Sequence, residues 1–288
     1  MLRGLRNPEF WFAIIVPASG NTRSMHQSPN GIGWRLFPKA RAKTAMTELL
    51  FHQDSYLKEF EATVQEVVEK GVVLDRTGFY IGGGGQPADT GELAETSETL
   101  GEGRIYLVSR VGRFEGNIVH QVQGDLPQAG ARVTGRINWE NRYTLMRTHT
   151  ALHILCGVVW RDYGAQVTGG DMRPGEARMD FELEQMTSQF AEEIEEKINR
   201  EVAAARDVLS ATISREQADQ TPDLIRTKIN LLPPNIQEVS TIDITGLDLQ
   251  ADGGTHVANT REVGQIRVVG HESKGRINKR LRIALAEK

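Results

Sequence analysis

The chain has 288 residues, 39% hydrophobic and 25% charged, an ordinary globular composition with length enough for two domains. No run of eighteen or more apolar residues occurs, which excludes a membrane-spanning helix, and the single cysteine, Cys156, excludes an intrachain disulfide and fits a reducing compartment. The net charge of −4 is uneven: residues 1–45 carry seven Lys/Arg and one acid, Glu9, leaving 27 basic against 37 acidic residues from Met46 onward, a balance that excludes non-specific binding to long duplex DNA.

Residues 1–45 read poorly as a domain. "WFAIIVP" is their one apolar run, and "SGNTRSMHQSPNGIG" is polar and turn-rich. The segment reads as a disordered extension, a basic targeting peptide, or translation from a start upstream of a functional Met46. From Met46 the texture changes. "FEATVQEVVEKGVVLDRT", "GRIYLVSRVG", "GNIVHQVQGDLP" and "ARVTGRINW" are short valine-rich runs bounded by Gly, Asp or Pro. They predict a small β-barrel over 46–138. Within it, "FYIGGGGQPADTG" places four glycines, Gly82 to Gly85, in a loop whose backbone passes close to something.

Residues 139–288 form the second predicted domain. "ENRYTLMRTHTALHILCGVVW" predicts a buried helix. A second helix is expected near 188–206, with Phe190, Ile194, Ile198 and Val202 spaced by four between acids. "IQEVSTIDI", "GQIRVVGHE" and "KRLRIALAE" read as strands. The fold class is therefore α+β: a small N-terminal β-barrel, then an α/β domain whose largely antiparallel sheet packs against helices.

His149 and His153 lie four apart on the first helix, so both imidazoles share one face. Such a pair can ligate one zinc ion, and such pairs also occur as ordinary core or surface residues. "DGGTH" supplies a third imidazole, His256, and a carboxylate, Asp252. Gly253 and Gly254 allow backbone torsions closed to other residues, so a tight turn could aim both side chains at one point. Three protein ligands and one exchangeable position make the catalytic arrangement of zinc. Cys156 falls on the same helical face as His149, but in "ILCGVVW" it reads as a small buried hydrophobe.

"HTALH", the later "GGTHVANTREVG" and the upstream "FYIGGGGQPADTG" together resemble the alanyl-tRNA editing domain, over about Met46 to Lys288. The likeness is strongest to the free-standing AlaX family, in the form that keeps the glycine-rich barrel. It implies a trans-editing hydrolase that deacylates Ser-tRNA(Ala) and Gly-tRNA(Ala), with one zinc ion per chain. The implied ligands are His149, His153, Asp252 and His256. Asp252 stands where the family pattern usually has cysteine. It can ligate zinc through oxygen, or stay off the metal and orient water or the substrate's ammonium group. The resemblance places Gln86 beside the editing pocket, where the bland alternative is a turn glutamine. Thr77 could touch the substrate amino acid or be a plain strand threonine.

Asp89 is expected to brace the glycine turn, and Thr255 and Thr260 to bond backbone in theirs. Arg178 supports the pocket or is a strand-surface charge. His52, His120 and His271 read as structural or solvated. For RNA the candidates are Lys274, Arg276, Lys279, Arg280 and Arg282, a cationic cluster that could equally be a solvated face. The expected partner is tRNA(Ala) carrying a wrong amino acid, with no DNA and no membrane. The expected site of action is the cytoplasm, or the mitochondrion if residues 1–45 target the chain. Two other classes stay open: a metal-dependent hydrolase of a small-molecule ester or amino-acid derivative, and a non-catalytic zinc protein that binds tRNA.

Overall fold

The computed structural model describes residues 46–95, 103–228, 232 and 236–286. The expectations for residues 1–45 lie outside the described residues. The first part of the chain contains β1 (Glu48–Leu49), β2 (Glu59–Val68), β3 (Gly71–Leu74), β4 (Arg76–Thr77), β5 (Gly91–Glu95), β6 (Arg104–Phe114), β7 (Asn117–Val122) and β8 (Arg132–Ile137). Six of these close into an antiparallel barrel, in the order β2-β3-β7-β6-β5-β8. Alternation along β2 explains the closure: Phe60, Ala62 and Val64 point inward and are buried, while Glu59 and Glu61 face water. Gly135 on β8 makes room for this packing, since a Cβ there would meet the Phe60 ring at 2.3 Å.

Beyond the barrel come α1 (Trp139–Tyr163), β9 (Val167–Arg173), β10 (Glu176–Glu182), α2 (Ser188–Ala203), β11 (Val208–Ser214), α3 (Arg215–Gln220), β12 (Glu238–Ile244), β13 (Asp248–Ala251), β14 (Ile266–Ser273) and β15 (Asn278–Leu285). Instead of one sheet there are two, a four-stranded β14-β15-β10-β9 and a three-stranded β11-β12-β13, and both are antiparallel. The α+β class holds.

The Asn138 side chain caps α1 by accepting from the Asn141 amide, and Gly164 ends the helix in the left-handed conformation at φ 63°. Every residue from Leu145 to Val159 is buried, which is why apolar and polar positions show no one-sided pattern there. Leu152, Leu155 and Val159 share a core with Met179, Phe181, Leu281 and Ile283 of the four-stranded sheet. The expected stripe on α2 joins it through Ile194 and Ile198. Among the described residues no helix is long and apolar enough to cross a membrane.

The two halves are joined by a buried ion pair. Arg142, on the first turns of α1, has no exposed surface. Its guanidinium donates to both carboxylate oxygens of Asp89, with Nε at 2.9 and 3.1 Å, and to the carbonyls of Gly78 at 2.7 Å and Ser55 at 3.0 Å. Asp89 also accepts from the Tyr80 amide at 2.6 Å. The glycine loop is thereby anchored at both ends to the helix that carries the histidine pair.

Removing one partner of such a pair strands the other charge in the interior. Arg142→Leu should therefore lower the unfolding free energy in urea by about 3–5 kcal/mol. The double variant Arg142→Leu/Asp89→Leu should recover much of that loss. A single variant as stable as the parent would contradict the role given to the pair.

Candidate metal centre

His149 and His153 stand one turn apart on α1, and Asp252 and His256 lie just past the end of β13. The structure brings all four together. One donor atom from each lies within 4.8 Å of the others, and all four side chains are buried. The three imidazole centroids are 5.2, 4.3 and 4.9 Å apart. His256 Nε2 is 2.9 Å from Asp252 Oδ2, and His149 Nε2 is 3.7 Å from Asp252 Oδ1.

Each imidazole is held from behind by its other nitrogen. His149 Nδ1 is 3.1 Å from Gln86 Oε1, His153 Nδ1 is 3.1 Å from Asp248 Oδ2, and His256 Nδ1 is 3.2 Å from Thr150 Oγ1. Gln86 is fixed in turn. Its Oε1 accepts from the Thr255 amide at 3.0 Å, and its Nε2 donates to Thr255 Oγ1 at 2.8 Å. A proton on each Nδ1 leaves each Nε2 lone pair for a metal.

The electrostatics agree with that assignment. Burial pushes His149 well below the usual histidine range and also lowers His256, despite the neighbouring Asp252 carboxylate. Both imidazoles are therefore neutral, as ligands must be. Burial works against the Asp252 carboxylate, but the facing imidazoles of His149 and His256 outweigh it and keep the carboxyl below its usual range. His153 differs: its burial is outweighed by the Asp248 hydrogen bond and the Asp252 charge, which raise it above the usual histidine range. Three imidazoles and one carboxylate, enclosed and convergent, fit a zinc-type ion in both chemistry and number of donors.

The glycines of the turn act differently from expectation. Neither Gly253 nor Gly254 has a positive φ, whereas all four of Gly82 to Gly85 do, from 58° to 131°. What Gly254 supplies is room: a Cβ there would sit 2.4 Å from the His149 ring and 2.8 Å from Gln86 Oε1. The Asp252 carboxylate also accepts from the Gly254 amide at 2.8 Å.

A recess of about 150 Å³ opens beside the group. Its lining includes Asp252 and Gly254, Thr212 and Ser240 of the three-stranded sheet, and His52. His52, expected to be structural or solvated, is half-buried and lines this recess. Thr150 and Asp248 were also missed. Thr150 sits inside the "HTALH" motif, whereas Asp248 is 95 residues from its histidine.

Other expectations resolve as follows. The Thr77 hydroxyl is buried in the barrel, 2.8 Å from His120 Nε2 and accepting from the Phe79 amide at 3.1 Å, and Thr77 does not line the recess. Burial holds His120 neutral, with its pKa lowered to about 4. Thr255 meets the Gln86 side chain, not backbone. Thr260 reaches beyond its own turn to the Glu201 carbonyl at 2.9 Å. Arg178 faces Asp180 and Asp171 at 3.5 and 3.8 Å, as a strand charge does. Cys156 is buried outside the donor group, its thiol pushed well up by burial.

The five cations expected to face RNA do not form one open patch. Lys279 is buried, and its ammonium donates to the carbonyls of Gly275 and Arg276 at 2.7 and 2.9 Å. Arg280 forms a two-pronged pair with Asp180 at 2.6 and 2.7 Å. Lys274 and Arg282 both face Glu272, at 3.3 and 2.5 Å, and Arg276 is exposed. Lys279 is thus unavailable to phosphate because its charge is spent on the chain's own carbonyls.

Two sequence families match the chain. The tRNA synthetases class II (A) match residues 37–141, and the threonyl and alanyl tRNA synthetase second additional domain matches residues 239–282. The alanyl-tRNA editing protein AlaX-M of Methanosarcina barkeri is 38% identical over 247 residues, covering 84% of this chain and 100% of the relative. AlaX-M of Saccharolobus solfataricus is 37% identical over 240 residues, covering 82% and 98%. The alanine–tRNA ligase of Ignicoccus hospitalis is 36% identical over 229 residues, covering 77% of this chain and 24% of that longer protein.

Gly254→Ala tests the packing around the donors. The added methyl must displace the His149 ring or the turn, so zinc retained through gel filtration should fall well below that of the parent. Circular dichroism should stay parental. Full zinc retention in Gly254→Ala would show that the turn has slack the structure does not.

Proposed function

The chain belongs to the alanyl-tRNA editing protein family, and on that premise we propose that it hydrolyses the ester of tRNA(Ala) charged with serine or glycine, using one zinc ion. Water adds to the ester carbonyl, and the products are the free amino acid and the tRNA terminal hydroxyl. The observation that carries this reading is the buried donor set His149, His153, Asp252 and His256 beside a small polar recess. When bound, zinc would supply Lewis acidity, either toward water or toward the ester carbonyl.

The chain's own residues do the rest. Asp252, together with the imidazoles, supplies one anionic donor of the same formal charge as the thiolate usual in the family. Gln86 positions His149 and, through Thr255, the ligand turn. The recess takes the amino acid, and the Thr212 and Ser240 side chains that line it offer hydroxyls to the serine hydroxyl, which alanine lacks. Lys274 and Arg276 in the loop between β14 and β15, and Arg282 on β15, all exposed, are the proposed RNA contacts. The need for such an enzyme is physical. A site built for alanine separates neighbours differing by one small group by only about 1–3 kcal/mol, so errors pass and a second hydrolytic site must remove them.

Deacylation of Ser-tRNA(Ala), Gly-tRNA(Ala) and Ala-tRNA(Ala), with and without chelator, tests the reading. The first two should be hydrolysed, the third spared, and chelator should stop the reaction until zinc is returned. Equal cleavage of a free aminoacyl ester would point to a small-molecule hydrolase. Metal-replete protein that binds tRNA without cleaving it would point to a non-catalytic role. Asp252→Asn should lose zinc and rate together, the rate by roughly 100-fold or more, and Asp252→Cys should restore zinc. Metal kept with rate lost in Asp252→Asn would place Asp252 beside the ion, not on it.

A further inference from the structure

Behind His153, away from the recess, lies a second cluster of buried polar groups that the reaction does not use. Asp248, the first residue of β13, has a fully buried side chain. Its Oδ2 lies 3.1 Å from His153 Nδ1 and accepts from Gln250 Nε2. Its Oδ1 is within ion-pair distance of Arg226 Nε at 3.5 Å. The Arg226 guanidinium in turn stacks over the Trp160 ring, 4.5 Å from its centroid, on α1 two turns beyond His153. Gly157 permits the approach of strand to helix, since a Cβ there would lie 2.9 Å from both Asp248 Cβ and Leu247 Cγ. Several elements thus converge on one carboxylate that touches a single nitrogen of one ligand.

We propose that Asp248 is the positioning residue of the metal centre, fixing the Nδ1–H tautomer and ring angle of His153 through a carboxylate–imidazole bond that Arg226 and Gln250 hold in place. The proposal rests on the reading that the four donors hold a metal. It assigns unequal work to the three outer partners. Gln86 and Thr150 offer His149 and His256 a neutral amide oxygen and a neutral hydroxyl. Asp248 alone among these three is an anion, and a charge-assisted bond is the stronger and more orienting kind. It also makes the imidazole a better electron-pair donor at Nε2. Arg226 balances the Asp248 charge, so the net anionic donor facing the metal remains Asp252.

The test is the zinc affinity of purified protein, measured by competition with a chromophoric chelator. The wild-type protein is titrated first. If it binds no zinc, the metal reading itself fails, and the failure is not that of Asp248. Given wild-type binding, Asp248→Asn should weaken zinc about 10–100-fold, with metal-free circular dichroism and melting close to wild type. Asp248→Glu should recover part of the affinity. A folded Asp248→Asn with wild-type zinc affinity would overturn the proposal. If Asp248→Asn does not fold, nitrogen NMR of the wild-type imidazoles decides the matter. His153 should carry a proton on Nδ1 in the metal-free protein, and a neutral ring with its proton on Nε2 and none on Nδ1 would refute the assignment.

Discussion

A carboxylate and three imidazoles, packed within 4.8 Å of one another with almost no exposed surface, are costly to bury. Each group gives up water, and each must be repaid by a partner in the interior. Much of the surrounding fold follows from that requirement. Burial holds His149 and His256 neutral, and each of the three Nδ1 atoms has its own oxygen partner, which turns each Nε2 toward the centre. Asp252 accepts from the Gly254 amide, and its carboxylate lies 2.9 Å from His256 Nε2. The cluster is organised as a cation site, and a divalent ion would supply the charge it is arranged around.

The supports come from both halves of the chain, which explains why the barrel accompanies the second domain. Gln86 reaches from the glycine loop to His149 and Thr255. Arg142 ties that loop to α1 through Asp89. Tyr56, ahead of the barrel's β2, donates to Glu262 at 2.7 Å and accepts from the Ala258 amide at 2.7 Å, close behind His256. Tyr143 of α1 meets the same Glu262 at 2.9 Å. The ligand turn is thus gripped by the barrel entry, the glycine loop and α1. His52, from the same entry segment, lines the recess.

What the sequence disclosed depended on how local each signal was. "HTALH" places two ligands on one helical face by spacing alone, and "DGGTH" keeps the other two within five residues. Barrel strands with alternating valines were visible. So was α2, whose apolar stripe contrasts with its acids. The strand β11 was missed because most of its residues are exposed, Leu209 among them, and β9 because "VTGGDMR" carries two glycines. Gly254 was assigned torsional freedom when its use is the absence of a side chain beside His149, a feature only a folded neighbour reveals. Asp248 and Arg142 act on partners 95 and 53 residues away, and no periodicity points to them. The RNA-facing cluster failed at Lys279 for the same reason: composition cannot show which cations the chain has already paired.

Asp252 is proposed to complete an all-nitrogen-and-oxygen donor set in place of the sulfur usual in the family. X-ray absorption at the zinc edge of the metal-loaded protein measures this directly. Three imidazole nitrogens at about 2.0–2.1 Å and carboxylate oxygen at about 2.0–2.2 Å are expected, with no sulfur bound to the zinc. A scatterer at about 2.3 Å would mean that Cys156 is drawn onto the metal, and fewer than three imidazoles would mean that the histidines do not act together. Either result would contradict this donor set.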